Sequence, residues 1–389
     1  MNHSQRPPRK ELLVFGAPDI QQAEIDEVVD SMKARWLGTG PKALKFERQF
    51  ASYKRAEHCV AVSSCTAALH LSLLTAGIGP GDEVITTALT FCATVNAILH
   101  AGATPVLADI HADSMNISAD SIAQAITDRT KAIIVVHFAG RPCDMSAIMK
   151  LAEQHELIVV EDCAHAIETE IDGAPAGTIG HLGCFSFYAT KNVTTAEGGM
   201  VICRESSHAE RLKRKSLHGL SHDAWRRFHD AGYKHYLVTD LGFKNNMTDL
   251  QAAIGIHQLA RVEQNWTRRE AIWDRYLDEL ANLPIKLPAP TQPSNRHALH
   301  LFTCLVEPES AGITRDEFLV KMHKENIGLG VHYLALPEHP YYQEQLGWHP
   351  DSWPVARQVG RQTVSLPLSP SMSDDDVSDV IAAAHRVLS

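Results

Sequence analysis

A lysine stands alone in "SFYATKNVTTAEGGMV" (186–201), between two apolar runs and ahead of hydroxyl residues, an acid and a glycine pair. Lys191 follows the strand-like run "CFSF" (184–187), and an apolar setting there would lower the pKa of its amine by desolvation. A neutral amine condenses with aldehydes, which makes Lys191 a candidate nucleophile; a surface lysine at a turn is the plainer use of the same residue. Ser186, on the run that leads to it, can offer a hydroxyl to an anion. Asp162 is delivered by the apolar run of "LIVVEDCAHA" (157–166) to the point where that run ends. A carboxylate buried there needs a cationic partner, and a protonated pyridine nitrogen has the right charge, although a helix N-cap or a structural ion pair would use the same Asp. In "AVSSCTAALH" (61–70), Ser63, Ser64 and Thr66 lie where a strand turns into an Ala/Leu-rich helix. Free N–H groups, hydroxyls and the positive helix end converge there, which suits a phosphate or an ordinary N-cap.

Each feature alone is weak. An amine that condenses with an aldehyde, an acid that holds a pyridinium and a hydroxyl-lined phosphate cradle together describe pyridoxal 5'-phosphate. The glycine pair Gly198–Gly199 then lets the chain reverse beside the cofactor, where side chains would crowd it, or simply makes a tight turn.

These residues need a scaffold that brings strand ends together. Short apolar runs alternate with helix-like segments over about 58–204: "CVAV" (59–62), "EVITT" (83–87), "TPVLAD" (104–109), "AIIVVHF" (132–138), "LIVVED" (157–162), "CFSF" (184–187) and "GMVIC" (199–203). Continuous apolar runs indicate strands covered on both faces, hence an α/β core with a largely parallel sheet. Ligands collect at the carboxyl ends of such strands. Beyond 204, "RLKRKSLHGLSHDAWRRFHDAGYKHYLVTDLGF" reads as a helix and a long surface excursion. Its Lys213, Arg214, Lys215, His218, Trp225, Arg226 and Arg227 suit either a nucleotide diphosphate or a solvated face, and none is taken as a site residue. "LARVEQNWTRREAIWDRYLDEL" (259–280) predicts one long connecting helix with Trp266, Trp273 and Tyr276 in the core. The remainder predicts a strand at "HLFTCLVE", a helix opened by a Thr314/Glu317 capping box and closed near Gly328, a strand at "TVSLPL" and a last helix capped by Ser373. Two domains are expected, a large one over 11–255 and a smaller α+β one over 256–389.

Composition sets outer limits. Asp and Glu number 46 against 36 Lys and Arg, a formal charge of −10, so nucleic acid is not an expected partner. No apolar run approaches the length that spans a bilayer, so no membrane partner is expected either. The eight cysteines show neither Cys-x-x-Cys pairs nor Cys/His metal spacing, which predicts reduced, buried thiols in the cytoplasm and no metal centre. The opening "MNHSQRPPRKELLVFGAPDI" lacks a signal-peptide core and reads as a frayed tail.

The stretch around Lys191, together with "EDCAHA", "SSCTAALHLSLLTAGIGPGDEVITTALTFCATVNAILHAGATPVLADI" and "GFKNNMTDLQAAIG", resembles the DegT/StrS family of nucleotide-sugar aminotransferases from about residue 11 to the C-terminus. The resemblance implies a fold type I pyridoxal-phosphate enzyme, with a mostly parallel seven-stranded sheet in the large domain, working as a homodimer with shared active sites. It makes Lys191 the lysine that binds the cofactor aldehyde and Asp162 the partner of the ring nitrogen. Ser64, Ser186, Thr66 and the backbone at Ala67 would hold the phosphate, Phe91 would stack on the ring, and His165 would lie near the ring oxygen. Asn246 would reach the phosphate from the other subunit, while Tyr188, His332 and Tyr333 would line the sugar site. Cys65 departs from the family's usual Gly or Ala, Tyr188 from His, and Asn245 from Tyr.

The substrates so implied are L-glutamate and a nucleotide-linked keto-sugar aminated at C-4. Amination at C-3 or of a free keto-sugar, sugar dehydration, and a non-catalytic cofactor-binding role remain open alternatives. A dehydratase offshoot of the family carries His at the lysine position, so Lys191 favours transamination.

Overall fold

The computed structural model describes residues 6–221 and 236–388. Trp225, Arg226 and Arg227 lie outside the described residues. The strands, in chain order, are β1 (His58–Val62), β2 (Glu83–Thr87), β3 (Thr104–Ala108), β4 (Thr130–Val136), β5 (Ile158–Asp162), β6 (Glu170–Ile171), β7 (Ala174–Pro175), β8 (Leu182–Ser186), β9 (Gly199–Cys203), β10 (Phe302–Leu305) and β11 (Thr363–Leu366).

Seven of them form one sheet in the order β1-β9-β8-β5-β4-β2-β3. The pairs β2/β3, β2/β4, β4/β5 and β5/β8 are parallel, whereas β9 runs antiparallel to both β8 and β1. The fold is therefore α/β with a mostly parallel central sheet, and each predicted run became one of its strands. Alternate residues of a strand point to opposite faces, and here both faces are covered. Ile133, Val135, Val159 and Phe185 pack with Phe46 and Phe50 on one side; Ile134, Val160, Cys184 and Val201 pack with Leu69, Leu71 and Leu73 on the other. That double burial is why the runs are continuous rather than alternating.

The C-terminal part is built on the antiparallel pair β10/β11. Its core joins Trp273, Tyr276, Phe302, Phe318, Val364 and Val380, so the aromatics of the connecting helix are core residues as predicted. That helix runs Val262–Glu279, as predicted, and is set off at Arg261 (φ −114°, ψ 15°) from a preceding helix, Asp249–Ala260. Thr314 caps the helix Arg315–Lys324 through a capping box, and Ser373 caps the last helix, accepting from Asp376 N–H at 3.1 Å. The first of these ends before Gly328, and Asn326 takes the left-handed conformation there (φ 57°). Leu336 N–H donates to Ala88 O at 2.9 Å, one of the ties that hold the 332–336 segment over the end of the sheet.

The N-terminal segment from Arg6 is not frayed. Arg6 and Arg9 pair with Asp375, Asp376 and Asp379 at the acidic start of the last helix, where charge complementarity ties the tail down. Leu13 exchanges backbone bonds with Asn326 and Gly328 at 2.9 Å each. In the basic excursion, Lys213 to Lys215 form the last turn of the helix Ser206–Ser216, and Lys215 pairs with Asp240 at 2.9 Å. All eight cysteines are free thiols; Cys65 and Cys92 are only half-buried. No helix among the described residues is long and apolar enough to cross a membrane.

Candidate active site

The parallel strands β4, β5 and β8 end side by side. Val136 is in register with Asp162, and Asp162 with Cys184, so the chain leaves β5 and β8 at adjacent points. Beyond those ends lies a cleft of about 570 Å³. Lys191, Asp162, His165, Ser64, Thr66, Ser186, Phe91, Tyr188, His332 and Tyr333 all line it. Residues spread over 270 positions of sequence thus meet where the sheet topology predicts a ligand site.

Asp162 is the last residue of β5 and is 4% exposed. Its Oδ1 accepts from Ala164 N–H at 3.1 Å and its Oδ2 from the Thr94 hydroxyl at 2.9 Å. Cys65 Sγ lies 3.9 Å from Oδ1. Burial pushes the carboxyl's pKa up, while the Ala164 N–H, the Thr94 hydroxyl and Lys191 pull it back down. A carboxylate is an acceptor only, so Thr94 donates to it, and Thr90, 3.0 Å away, supplies the proton in the Thr90–Thr94 bond.

Lys191 sits in the loop between β8 and β9, its N–H bonded to Tyr188 O at 2.9 Å. Burial lowers the amine to about 8, with the Cys65 thiol and Asp162 acting in the opposite direction. The desolvation inferred from sequence is therefore the dominant cause. In the same loop the glycine pair has a more specific reason than the reversal alone. Neither glycine has positive φ; Ala196 does (φ 66°). A Cβ on Gly199 would lie 2.6 Å from Ser64 C and O and 2.9 Å from Cys65 N. Glycine is required there because β9 presses on the turn between β1 and the helix Cys65–Thr75.

That turn is the candidate phosphate cradle. Ser64 is the N-cap, and its Oγ accepts from Ala67 N–H at 3.1 Å. The Ala67 N–H is thus engaged within the helix, and Ala67 does not line the cleft. The N–H groups of Cys65 and Thr66 have no intrahelical acceptor, so the helix end still offers donors beside the Thr66 and Ser186 hydroxyls. Ser186 Oγ accepts from Tyr188 N–H at 3.3 Å, which leaves its proton free to donate.

His165 Nδ1 accepts from Ala139 N–H at 3.2 Å, so its ring proton is on Nε2 and is donated to the Tyr333 hydroxyl oxygen at 3.1 Å. Burial, then Lys191 and His332, hold His165 well below the ordinary imidazole value. A neutral His165 thereby orients Tyr333, whose own proton is left for a ligand. His332 is bonded to Ser365 Oγ at 2.9 Å and is lowered to about 4, chiefly by burial. Phe91 and Tyr188 stand at the mouth, 57% and 47% exposed, and Phe91 is 5.8 Å from the Tyr333 ring.

Asn246 is outside the cleft of its own chain. Its Nδ2 donates to Thr39 Oγ1 at 2.5 Å, and its buried Oδ1 has no partner among the described residues. Several residues of the site went unnoticed in the sequence. Thr94 lies inside a quoted motif but its role depends on a contact 68 residues away. Asn192 directly follows Lys191; its Nδ2 donates to both oxygens of Glu168 (3.0 and 2.9 Å), and its Oδ1 accepts from His300, whose ring packs 4.5 Å from that of His165. No local pattern marks such a chain.

Metal binding is not supported by the one cluster of potential ligands found among the described residues. His137, Glu161 and Cys163 come within ligating distance of one another. However, His137 Nδ1 accepts from Cys143 N–H at 3.1 Å and Nε2 donates to Glu161 at 3.0 Å, so neither ring nitrogen has a lone pair to give.

The cleft suits a group with one anionic end, one flat ring with a basic nitrogen and one electrophilic carbon. Asp162 is a buried acid with no cation in ion-pair reach among the described residues, Lys191 is a buried amine lowered to about 8, and a helix end with hydroxyls closes the far side. This donor set fits pyridoxal phosphate. Fold and site together define an α/β enzyme of the pyridoxal-phosphate type.

Comparison with known proteins narrows the class. The profile of the DegT/DnrJ/EryC1/StrS aminotransferase family matches residues 18–385, and the chain belongs to that family. It is 46% identical to the spore coat polysaccharide biosynthesis protein SpsC of Bacillus subtilis (strain 168), over 98% of each chain. Among solved structures it resembles Spr1654 of Streptococcus pneumoniae, described as a candidate sugar aminotransferase, in its PLP form (TM-score 0.89, 33% identity, 97% of this chain and 100% of that one). The same protein is also known in a PMP form. Helicobacter pylori PseC, an aminotransferase involved in the biosynthesis of pseudoaminic acid, matches with a TM-score of 0.89 at 26% identity over 97% of this chain and 99% of that one. The protein is an aminotransferase, and pyridoxal phosphate is its cofactor.

Proposed function

We propose that this aminotransferase moves an amino group from L-glutamate to the C-4 keto group of a nucleotide-linked keto-sugar. The observation that carries the reading is the convergence of Lys191, Asp162 and His165 on one cleft at the sheet's carboxyl edge. The names of SpsC, a spore coat polysaccharide biosynthesis protein, and PseC, an aminotransferase involved in the biosynthesis of pseudoaminic acid, support a sugar acceptor. The motifs around Lys191 and His165 are similar to those of UDP-4-amino-4-deoxy-L-arabinose–oxoglutarate aminotransferase, and His165 in place of Gln would favour C-4 over C-3. The product would be an amino sugar for a surface polysaccharide, lipid A or a natural product.

Pyridoxal phosphate supplies, when bound, an aldehyde for amines and an electron-withdrawing ring. The chain's own residues do the rest. Asp162, ionised and held by Ala164 N–H and Thr94, would keep the ring nitrogen protonated. Thr66, Ser186 and the first N–H groups of the helix Cys65–Thr75 would hold the phosphate. Lys191, released by the incoming amine, would take the proton from Cα of the amino donor and later return one to the carbon of the sugar; an amine lowered to about 8 is suited to both tasks near neutral pH. Tyr333, aimed by His165, would donate a hydrogen bond to the substrate. Tyr188 and His332 would line the sugar side.

The working unit would be a cytoplasmic homodimer with shared active sites, each chain divided into a large domain (11–255) and a small one (256–389). Asn246, bridged to Val62 at the end of β1, would reach the other subunit's phosphate through its Nδ2, which here donates to Thr39 Oγ1. Exposed Ile25, Val29 and Met32 on the helix Gln22–Lys33 offer an apolar stripe for the contact.

The test is spectroscopic. Purified protein mixed with pyridoxal phosphate should show a lysine-dependent visible band that bleaches with L-glutamate and returns with a nucleotide-linked 4-keto-sugar. A band that glutamate leaves unchanged removes the donor assignment. Return of the band with a free keto-sugar, and not with nucleotide-linked ones, removes the acceptor assignment.

A further inference from the structure

Three stretches of chain meet beside Lys191, and one side chain joins them. Asn192, buried, follows Lys191 in the loop between β8 and β9. Its Nδ2 donates to the two carboxyl oxygens of Glu168, at 3.0 and 2.9 Å, and to Ala298 O at 2.9 Å. Its Oδ1 lies 2.9 Å from His300 Nδ1, and since a carbonyl oxygen only accepts, the proton is on that nitrogen. Every hydrogen-bonding group of the amide is thus engaged, in a setting where an unmade bond is costly.

The partners lead to the other side of the cleft. Glu168 shares the loop after β5 with His165, and Ala298 and His300 belong to the segment that enters β10. That segment is docked on the chain leaving β4, where Ala298 N–H donates to Gly140 O at 3.0 Å and His300 N–H to Ala139 O at 3.2 Å. Ala139 N–H in turn donates to His165 Nδ1, and the His300 ring packs 4.5 Å from the His165 ring. The path from the amide therefore ends at the imidazole that donates to Tyr333.

We propose that Asn192 is a positioning residue of the cofactor site, and that its bond from His300 Nδ1–H holds the Lys191 loop in place against the His165–Tyr333 wall. Neither Asn192 nor His300 is among the residues that line the cleft, so both act through others. The inference rests on Lys191 as the residue that captures pyridoxal phosphate. It is independent of the amino donor and of the sugar.

Two substitutions separate this role from plain packing. His300→Phe keeps a ring against His165 and loses the donor to Asn192, whereas His300→Asn keeps an N–H near the Nδ1 position and loses most of the ring. Apoenzyme is mixed with pyridoxal phosphate, and the rate at which the visible band appears and the pH at which it titrates are recorded beside the thermal midpoint. His300→Phe should slow capture by roughly 3–10-fold, the scale of one net hydrogen bond, and shift that pH. His300→Asn should keep both properties of the band although loss of the ring lowers its midpoint. Asn192→Ala should slow capture at least as much as His300→Phe; the His300 pair decides the matter even if that variant fails to fold. The reverse order, or effects confined to the midpoint, makes the bond merely structural and overturns the proposal. A wild-type protein without a Lys191-dependent band removes the lysine assignment and this inference with it, whereas a normal wild-type band with unaffected variants removes this inference alone.

Discussion

Thr94→Val removes one hydroxyl and almost no volume, and it tests whether Asp162 does the electrostatic work assigned to it. Thr94 donates to Asp162 Oδ2 at 2.9 Å in a fully buried setting. A hydrogen bond to a charged group contributes about 1.5–3 kcal/mol. Its loss raises the Asp162 pKa further, adding to the upward push of burial. If Asp162 pairs with the ring nitrogen as proposed, the holoenzyme needs it ionised, whereas the apoenzyme can protonate it. Below the raised pKa of the variant, the missing bond therefore appears in cofactor affinity, as a loss of roughly 10–100-fold. Above that pKa the apoenzyme is already ionised and the deficit shrinks toward nothing. The assay is an absorbance titration of apoenzyme with pyridoxal phosphate at several pH values, with Thr94→Ser as the variant that keeps the hydroxyl. A Thr94→Val protein that binds like wild type at every pH, or whose loss is independent of pH, would refute the reasoning.

Other perturbations separate the remaining roles. Lys191→Ala should abolish turnover while far-UV circular dichroism stays native; full activity in that variant would remove the central assignment. For wild-type protein, burial brings Lys191 from its ordinary 10.5 down to about 8, so the neutral amine gains population as pH rises through 8. The rate of cofactor capture should climb up to that point and level off above it, and a profile still climbing toward pH 10 would contradict the assigned desolvation. Gly199→Ala places a Cβ 2.6 Å from Ser64 C and O. Overpacking of this kind costs about 1–3 kcal/mol; it should lower the thermal midpoint and, by displacing the turn, weaken phosphate and pyridoxal phosphate binding together.

The sheet was legible because its strands are buried on both faces, which turns each into an uninterrupted apolar run. The ends of those runs showed Asp162 and Lys191 for the same reason: a charged residue that closes an apolar run stands out. The helix Asp249–Ala260 ahead of the connecting helix was not singled out, since only Arg261 leaves helical geometry between the two. The docking of Arg6 and Arg9 was hidden as well, because their acid partners lie some 370 residues away. The same holds for Thr94, Asn192 and His300. Each is an ordinary helix or loop residue whose meaning comes from a partner that tertiary packing supplies.

Burial acts on the two principal groups of the cleft in opposite senses. It drives the Asp162 carboxyl toward its neutral form and the Lys191 amine toward its neutral form, while each group's charge favours ionisation of the other. Exposed to water, Lys191 would stay protonated and Asp162 would ionise with no preference for a pyridinium. Buried without Thr94 and the Ala164 N–H, Asp162 would take up a proton and leave the ring nitrogen without its counter-charge. In the proposed mechanism the dry floor of the cleft would make the lysine a nucleophile, and the two hydrogen bonds would pull the aspartate back toward its anion in that same environment. Desolvation supplies reactivity at one group and must be offset at the other.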